Sequence, residues 1–201
     1  MRILGESSED EMIACFLQGE LTSHRFGPGL HAALNAADLP TRLVTDADLG
    51  NEDENRARRE LLAVTRGYGQ GRDVFDESFP ASSSVRWVRA ELEPAELARV
   101  RYIDYSYWNE LSGGSRLPAD AAQRIRAGVS VFGVSNQRFL DAADAVARGE
   151  RFGPLILAGQ RLDDLVCVEG HLRLTGYALA GFPVTVECLI GTAPTMGRWA
   201  H

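Results

Sequence analysis

"FGPLILAGQRLDDLVCVEGHLRLTGYALAGFPVTVECLIG", residues 152–191, is the stretch whose reading decides the fold. Leu155–Ala158 is a short apolar run held between Pro154 and Gly159, the form of a buried strand. Arg161–Asp164 reads as a turn and Leu165–Val168 as a second strand, so the two make a hairpin or an adjacent pair. Glu169, Gly170, His171 and Arg173 then stand where strand hands over to helix. The helix runs over "LRLTGYALAG", and Pro183 starts a last strand, "VTVECLIG".

That handover carries the chemistry. A strand, a tight glycine turn and a helix gather N–H donors without intrahelical partners at one point, and the helix dipole adds positive potential there. Gly170 lets the chain turn and lets a ligand come close. His171 and Arg173 fall in the first helical turn, where both can reach one oxyanion, and arginine can hold phosphate through two parallel hydrogen bonds. Glu169 can orient the arginine, bind a ribose hydroxyl or a metal-bound water, or accept a proton. The competing reading is an ordinary i,i+4 ion pair between Glu169 and Arg173, with His171 exposed.

Outward from this segment the chain alternates helices and short strands. Ser135 or Asn136 caps a helix over "QRFLDAADAVARG", with Phe139, Leu140, Ala143 and Val146 on one face. Pro118 opens an earlier helix that ends at Gly128. Tyr102, Tyr105, Tyr107 and Trp108 form an aromatic cluster, either a core edge or a platform on which a base stacks. Val85, Trp87 and Val88 suit a strand after the Pro/Ser-rich loop at 78–84. A domain boundary is expected near residue 80, dividing a mainly helical region, 1–80, from an α+β domain, 81–201.

In the first region, Ser8 and Glu11 have capping-box spacing before Met12, Ile13, Phe16, Leu17 and Leu21 at helical intervals. A second helix covers 29–37, "TRLVTDADLG" reads as strand and turn, and Asn51 caps a third helix that carries Arg56 and Arg59. "RGYGQGRD", 66–73, is either a flexible connection or a loop that wraps a phosphate with its amides.

Composition excludes several classes. The chain has 201 residues, 45% of them hydrophobic, enough for one substantial core or two modest ones. No apolar run approaches the roughly 20 residues of a membrane span, and no signal-peptide core opens the chain, so a cytoplasmic protein is expected. Cys15, Cys167 and Cys188 are widely spaced and read as buried reduced thiols rather than metal ligands, so no protein metal site is expected. All 21 basic residues are arginine. With no lysine there is no Schiff base and no Walker-type phosphate lysine. A net charge of −7 argues against broad nucleic-acid binding.

The segment 134–191, and less closely the chain back to about 85, resembles the ParB/sulfiredoxin superfamily. The likeness lies in the order helix, strand opened by Pro154, turn, strand, a G-x-x-R box (Gly170-His171-Leu172-Arg173) opening a helix, and a closing strand. It implies a small ParB/sulfiredoxin-like mixed-sheet domain of α+β class, with ATP, ADP or CTP phosphates on the box and magnesium alongside. Gly170, His171, Leu172, Arg173 and Thr175 would then bind the ligand, with Glu169, His171 and Arg173 as catalytic candidates. Sulfiredoxin chemistry needs a cysteine where Gly170 stands, and the DNA-binding segment of ParB proteins has no counterpart among the residues that follow the last strand. The free-serine-kinase-like branch has the closest box. Its catalytic acid, however, is replaced by Ser135-Asn136-Gln137-Arg138, leaving Glu169, Asp141 or Glu110 to supply a base.

Three functions follow as expectations. The first is an enzyme that transfers a phosphoryl group to a small molecule or hydrolyses a nucleotide. The second is a non-catalytic module that binds a nucleotide or another phosphorylated ligand as a signal. The third is a nuclease-like protein using Arg56, Arg59, Arg66 and Arg72 as a basic strip beside the tyrosines.

Overall fold

The computed structural model describes residues 1–72, 74, 75, 79 and 84–196. Two compact units divide the chain: Ser7–Trp87, and a second that joins Met1–Glu6 to Val88–His201. The boundary expected near residue 80 falls outside the described residues.

The first unit is helical. In α1 (Glu9–Leu21) the Ser8 hydroxyl accepts from the Glu11 amide at 3.1 Å, and three acids fill the first turn. Met12, Ile13, Phe16 and Leu17 are buried along one stripe, as the spacing requires. α2 spans Gly27–Ala36, starting two residues before the expected position. The strand expected at "TRLVT" is instead the helical turn α3 (Arg42–Thr45). The Val44 and Thr45 amides bond to the Thr41 carbonyl, while Leu43 and Val44 are buried. Local hydrogen bonding and burial of two neighbouring apolar residues override β-propensity here. α4 (Glu52–Arg66) is capped by Asn51, whose Oδ1 accepts from the amides of Asp53 and Glu54, both at 3.1 Å. Gly67 ends α4 in the left-handed conformation.

Arg58 is the largest wholly buried side chain of this unit. Its guanidinium donates to the Leu43 carbonyl at 3.1 Å, the Asp48 carbonyl at 2.8 Å, and Asn55 Oδ1. It therefore ties the chain between α2 and α4 to the helix that follows.

The second unit is built on a five-stranded mixed sheet of order β1-β2-β5-β3-β4: β1 Arg2–Glu6, β2 Arg86–Leu92, β3 Leu155–Arg161, β4 Asp164–Glu169 and β5 Val186–Thr192. β3 and β4 form the expected antiparallel hairpin, and β5 lies parallel to β3. β5 starts at Val186, later than Pro183 suggested. β1, which the sequence did not disclose, is exposed along its length and pairs antiparallel with β2.

Around the sheet stand α5 (Pro94–Leu97), α6 (Ser106–Ser112), α7 (Pro118–Arg126), α8 (Gln137–Ala147) and α9 (His171–Leu179). The core joins Leu155, Leu157, Cys167 and Cys188 of the sheet to Phe139 of α8 and Leu174 of α9. The buried stripe of α8 is Phe139, Ala142, Ala145 and Val146, with Leu140 exposed rather than inward. The small residues are what packing demands, because a Cβ on Gly176 of α9 would stand 2.8 Å from the Ala142 Cβ. Cys167 and Cys188 are buried as expected, while Cys15 is partly exposed.

Candidate functional site

The candidate site is the corner where β4 ends and α9 begins. Gly170 sits there with φ +104, and no side chain caps the helix behind it. Any other residue would be strained at that φ. A Cβ would also stand 2.5 Å from Leu155 Cδ2 and 3.0 Å from Arg173 Nη2. Glycine is therefore required twice, by conformation and by the closeness of Leu155.

Arg173 folds back over this turn. Its Nη2 donates to the Pro154 carbonyl at 3.2 Å and lies 3.6 Å from Glu169 Oε1. Both side chains remain partly exposed. Arg173 Nε is shielded and has no hydrogen-bond partner among the described residues. The i,i+4 ion pair weighed from the sequence is thus present, in a looser form than a direct hydrogen bond.

His171 is half-buried and does not stand alone. Its ring stacks on Trp108 at 4.8 Å with 16° between planes, and Trp108 stacks on Tyr102 at 4.6 Å. Beneath it, the hydroxyl of Thr175 donates to the His171 carbonyl at 2.7 Å and meets the Tyr102 hydroxyl at 2.8 Å. Thr175 is wholly buried, so it supports His171 from inside. Leu172 is exposed beside the turn.

Electrostatics follow burial. Burial pushes the Tyr102 phenol up. The Cys167 thiol is raised by burial and then by Glu169, and its Sγ donates to the Glu169 carbonyl at 3.3 Å. It is an inert part of the strand floor.

The other candidates fall elsewhere. Asp141 accepts from Gln137 on the exposed face of α8, and Glu110 is exposed on α6. Arg56 pairs with Asp53, Arg59 with Glu9 and Asp10, and Arg66 with Glu20, while Arg72 donates to the Ala63 and Val64 carbonyls at the end of α4. Each arginine of the expected basic strip is thus answered within its own unit. A cavity of about 530 Å³ opens at the opposite end of the β3–β4 hairpin, floored by Leu92, Val100 and Leu165. Its lining mixes charges: Arg161 pairs with Asp163 and the Met1 ammonium with Glu96, beside Arg99. No helix among the described residues is long and apolar enough to cross a membrane.

The sequence singled out Glu169, Gly170, His171, Leu172, Arg173 and Thr175, and did not connect Tyr102, Trp108, Leu155 or the Pro154 carbonyl to them. Trp108 was visible as one of an aromatic cluster, but nothing in its neighbourhood connected it to His171.

The chain matches no protein-family model, no curated protein and no solved structure. The chain combines a helical region with a small mixed α+β architecture that has α8, β3, β4, the glycine corner, α9 and β5 in that order.

Proposed function

We propose that this chain binds a phosphate-bearing small molecule, foremost a nucleotide such as ATP, ADP or CTP, at the corner of β4 and α9, on a ParB/sulfiredoxin-like domain. One observation carries the reading: an uncapped helix opens on a left-handed glycine with a guanidinium folded directly over it. The first-turn amides, which helix geometry leaves without i−4 partners, and the dipole behind them favour an anion at that point. Arg173 still has donors beyond those given to Pro154 and Glu169. His171, the first residue of α9, is braced by Trp108 and Thr175.

The role that fits best is a binding module in which the ligand takes the place of Glu169 against Arg173. Turnover is the second reading, favoured by the gathering of Glu169, His171 and Arg173 at one corner. In it Glu169 serves as base while the other two stabilise charge on a transferred phosphoryl group. Among the described residues no group of three or more His, Cys, Asp or Glu side chains is set to hold a metal ion. Glu169 offers a single carboxylate already facing Arg173, so magnesium would arrive with the ligand's phosphates.

A thermal-shift panel of ATP, ADP and CTP, with and without magnesium, tests the reading on the wild-type chain and on Arg173→Ala. Stabilisation by at least one nucleotide is expected, lost in the variant. A parallel assay for released phosphate separates the module from the enzyme. A melting temperature unmoved by any nucleotide overturns both.

A further inference from the structure

Phe132 lies at the tip of a tight turn whose flanks, Val131 and Val134, form an antiparallel bridge. Phe132 has φ +51 and Gly133 φ +70. Two successive left-handed residues suit glycine and asparagine, whereas a bulky side chain at the first of them is strained. Burial does not compensate, because Phe132 is 68% exposed. A strained residue holding a large aromatic ring in solvent calls for a use of that ring.

The surroundings show where the ring leads. Its centroid is 6.4 Å from Tyr107, Tyr107 meets Trp108 edge-on at 5.0 Å, and Trp108 stacks on His171 at 4.8 Å. Three ring-to-ring steps thus join the exposed phenylalanine to the first residue of α9. The Tyr107 hydroxyl on this path is shielded from solvent and has no hydrogen-bond partner among the described residues. A shielded hydroxyl without a partner is costly unless a bound group supplies one.

We infer that Phe132 and Tyr107 form a platform for the aromatic base of the ligand, so that the phosphate at the corner belongs to a nucleotide rather than to a phosphosugar or free phosphate. This rests on the phosphate reading of the corner given above. The base stacks on the open face of Phe132, and the Tyr107 hydroxyl donates to an acceptor on the base or sugar. Stacking reads a π-face and tolerates any base, while the tyrosine adds a preference among them.

The test compares wild type with Phe132→Asn, Phe132→Trp and Arg173→Ala, using calorimetric titration of ATP, CTP and inorganic tripolyphosphate into the full chain. Asparagine relieves the turn, so Phe132→Asn is expected to melt at a higher temperature than wild type yet bind nucleotide roughly ten- to a hundredfold more weakly. Its tripolyphosphate affinity should be unchanged, and Phe132→Trp should restore nucleotide binding. If Phe132→Asn binds nucleotide as wild type does while Arg173→Ala does not bind, the platform is overturned and the corner reading stands. Equal wild-type affinity for tripolyphosphate and nucleotide also overturns the platform. If wild type binds none of the three, the corner reading falls and the platform with it.

Discussion

The Tyr102 hydroxyl donates to Thr175 Oγ1 across 2.8 Å, an assignment that the chemistry forces. The single proton of Thr175 goes to the His171 carbonyl, so its oxygen can only accept from the tyrosine. A neutral phenol is thereby built into the support of His171. Thr175→Val removes the acceptor and strands a buried hydroxyl, which should cost about 1–3 kcal/mol in denaturant unfolding. Tyr102→Phe should cost less, since the threonine keeps one bond. A larger loss in Tyr102→Phe than in Thr175→Val would reverse the assignment.

Alkaline pH should loosen the fold. Burial is the first cause of the raised values of Tyr68, Tyr102, Tyr177 and Cys167, and it pushes the Cys188 thiol up to about 12. Folded values above the unfolded ones mean stability that is complete below the unfolded pKa and is lost as pH climbs toward the folded one. For Cys188 that window runs from 9.0 to about 12. Unfolding midpoints measured from about pH 8 to pH 11 should therefore fall steadily, with the phenolate absorbance of the buried Tyr68, Tyr102 and Tyr177 rising only as the chain unfolds. A flat profile would contradict this.

Replacing Gly170 by alanine should destabilise the second unit by about 1–3 kcal/mol, from left-handed strain joined to the clash with Leu155. Circular dichroism melts measure it. A neutral Gly170→Ala would mean that the corner relaxes freely, and that it lacks the rigidity an anion cradle needs.

Glu169→Gln isolates the counter-ion of Arg173. With the carboxylate neutralised, a phosphate ligand no longer competes with it, and affinity should tighten by up to about fivefold, the range of partly exposed ion pairs. Calorimetry on ATP reads the change. Loss of affinity instead would assign Glu169 to the ligand itself.

In the helical unit, Arg58→Met keeps the volume of the side chain but leaves the Leu43 and Asp48 carbonyls without their donor. A loss of about 1–3 kcal/mol is expected. An unchanged melting temperature would show that the 41–50 segment is held by its apolar residues alone.

Some of this molecule was legible because the governing interactions are local. Ser8 and Asn51 cap α1 and α4 through atoms two or three residues away, and hydrophobic spacing marks α1 over the same short reach. The hairpin of β3 and β4, the glycine corner and the start of α9 follow likewise from neighbours in the chain. β1 could not be read, because a fully exposed strand has no alternation to betray it and exists only through pairing with β2. α3 is not legible locally, because Leu43-Val44 suits either a strand or a helical turn in isolation.

By itself, then, the amino-acid order determined the α+β class, most element boundaries in the hairpin region, and a Glu-Gly-His-x-Arg corner with glycine at its turn. Only the tertiary structure decided that Arg173 bends back to the Pro154 carbonyl, that His171 stacks on Trp108, and that Arg59 and Arg66 of the first unit are already matched by carboxylates. The reason is physical. Turn and cap energies act across a few residues and are written in the local chain. The direction of a long side chain is set by whichever distant carbonyl, ring or carboxylate the fold brings alongside it.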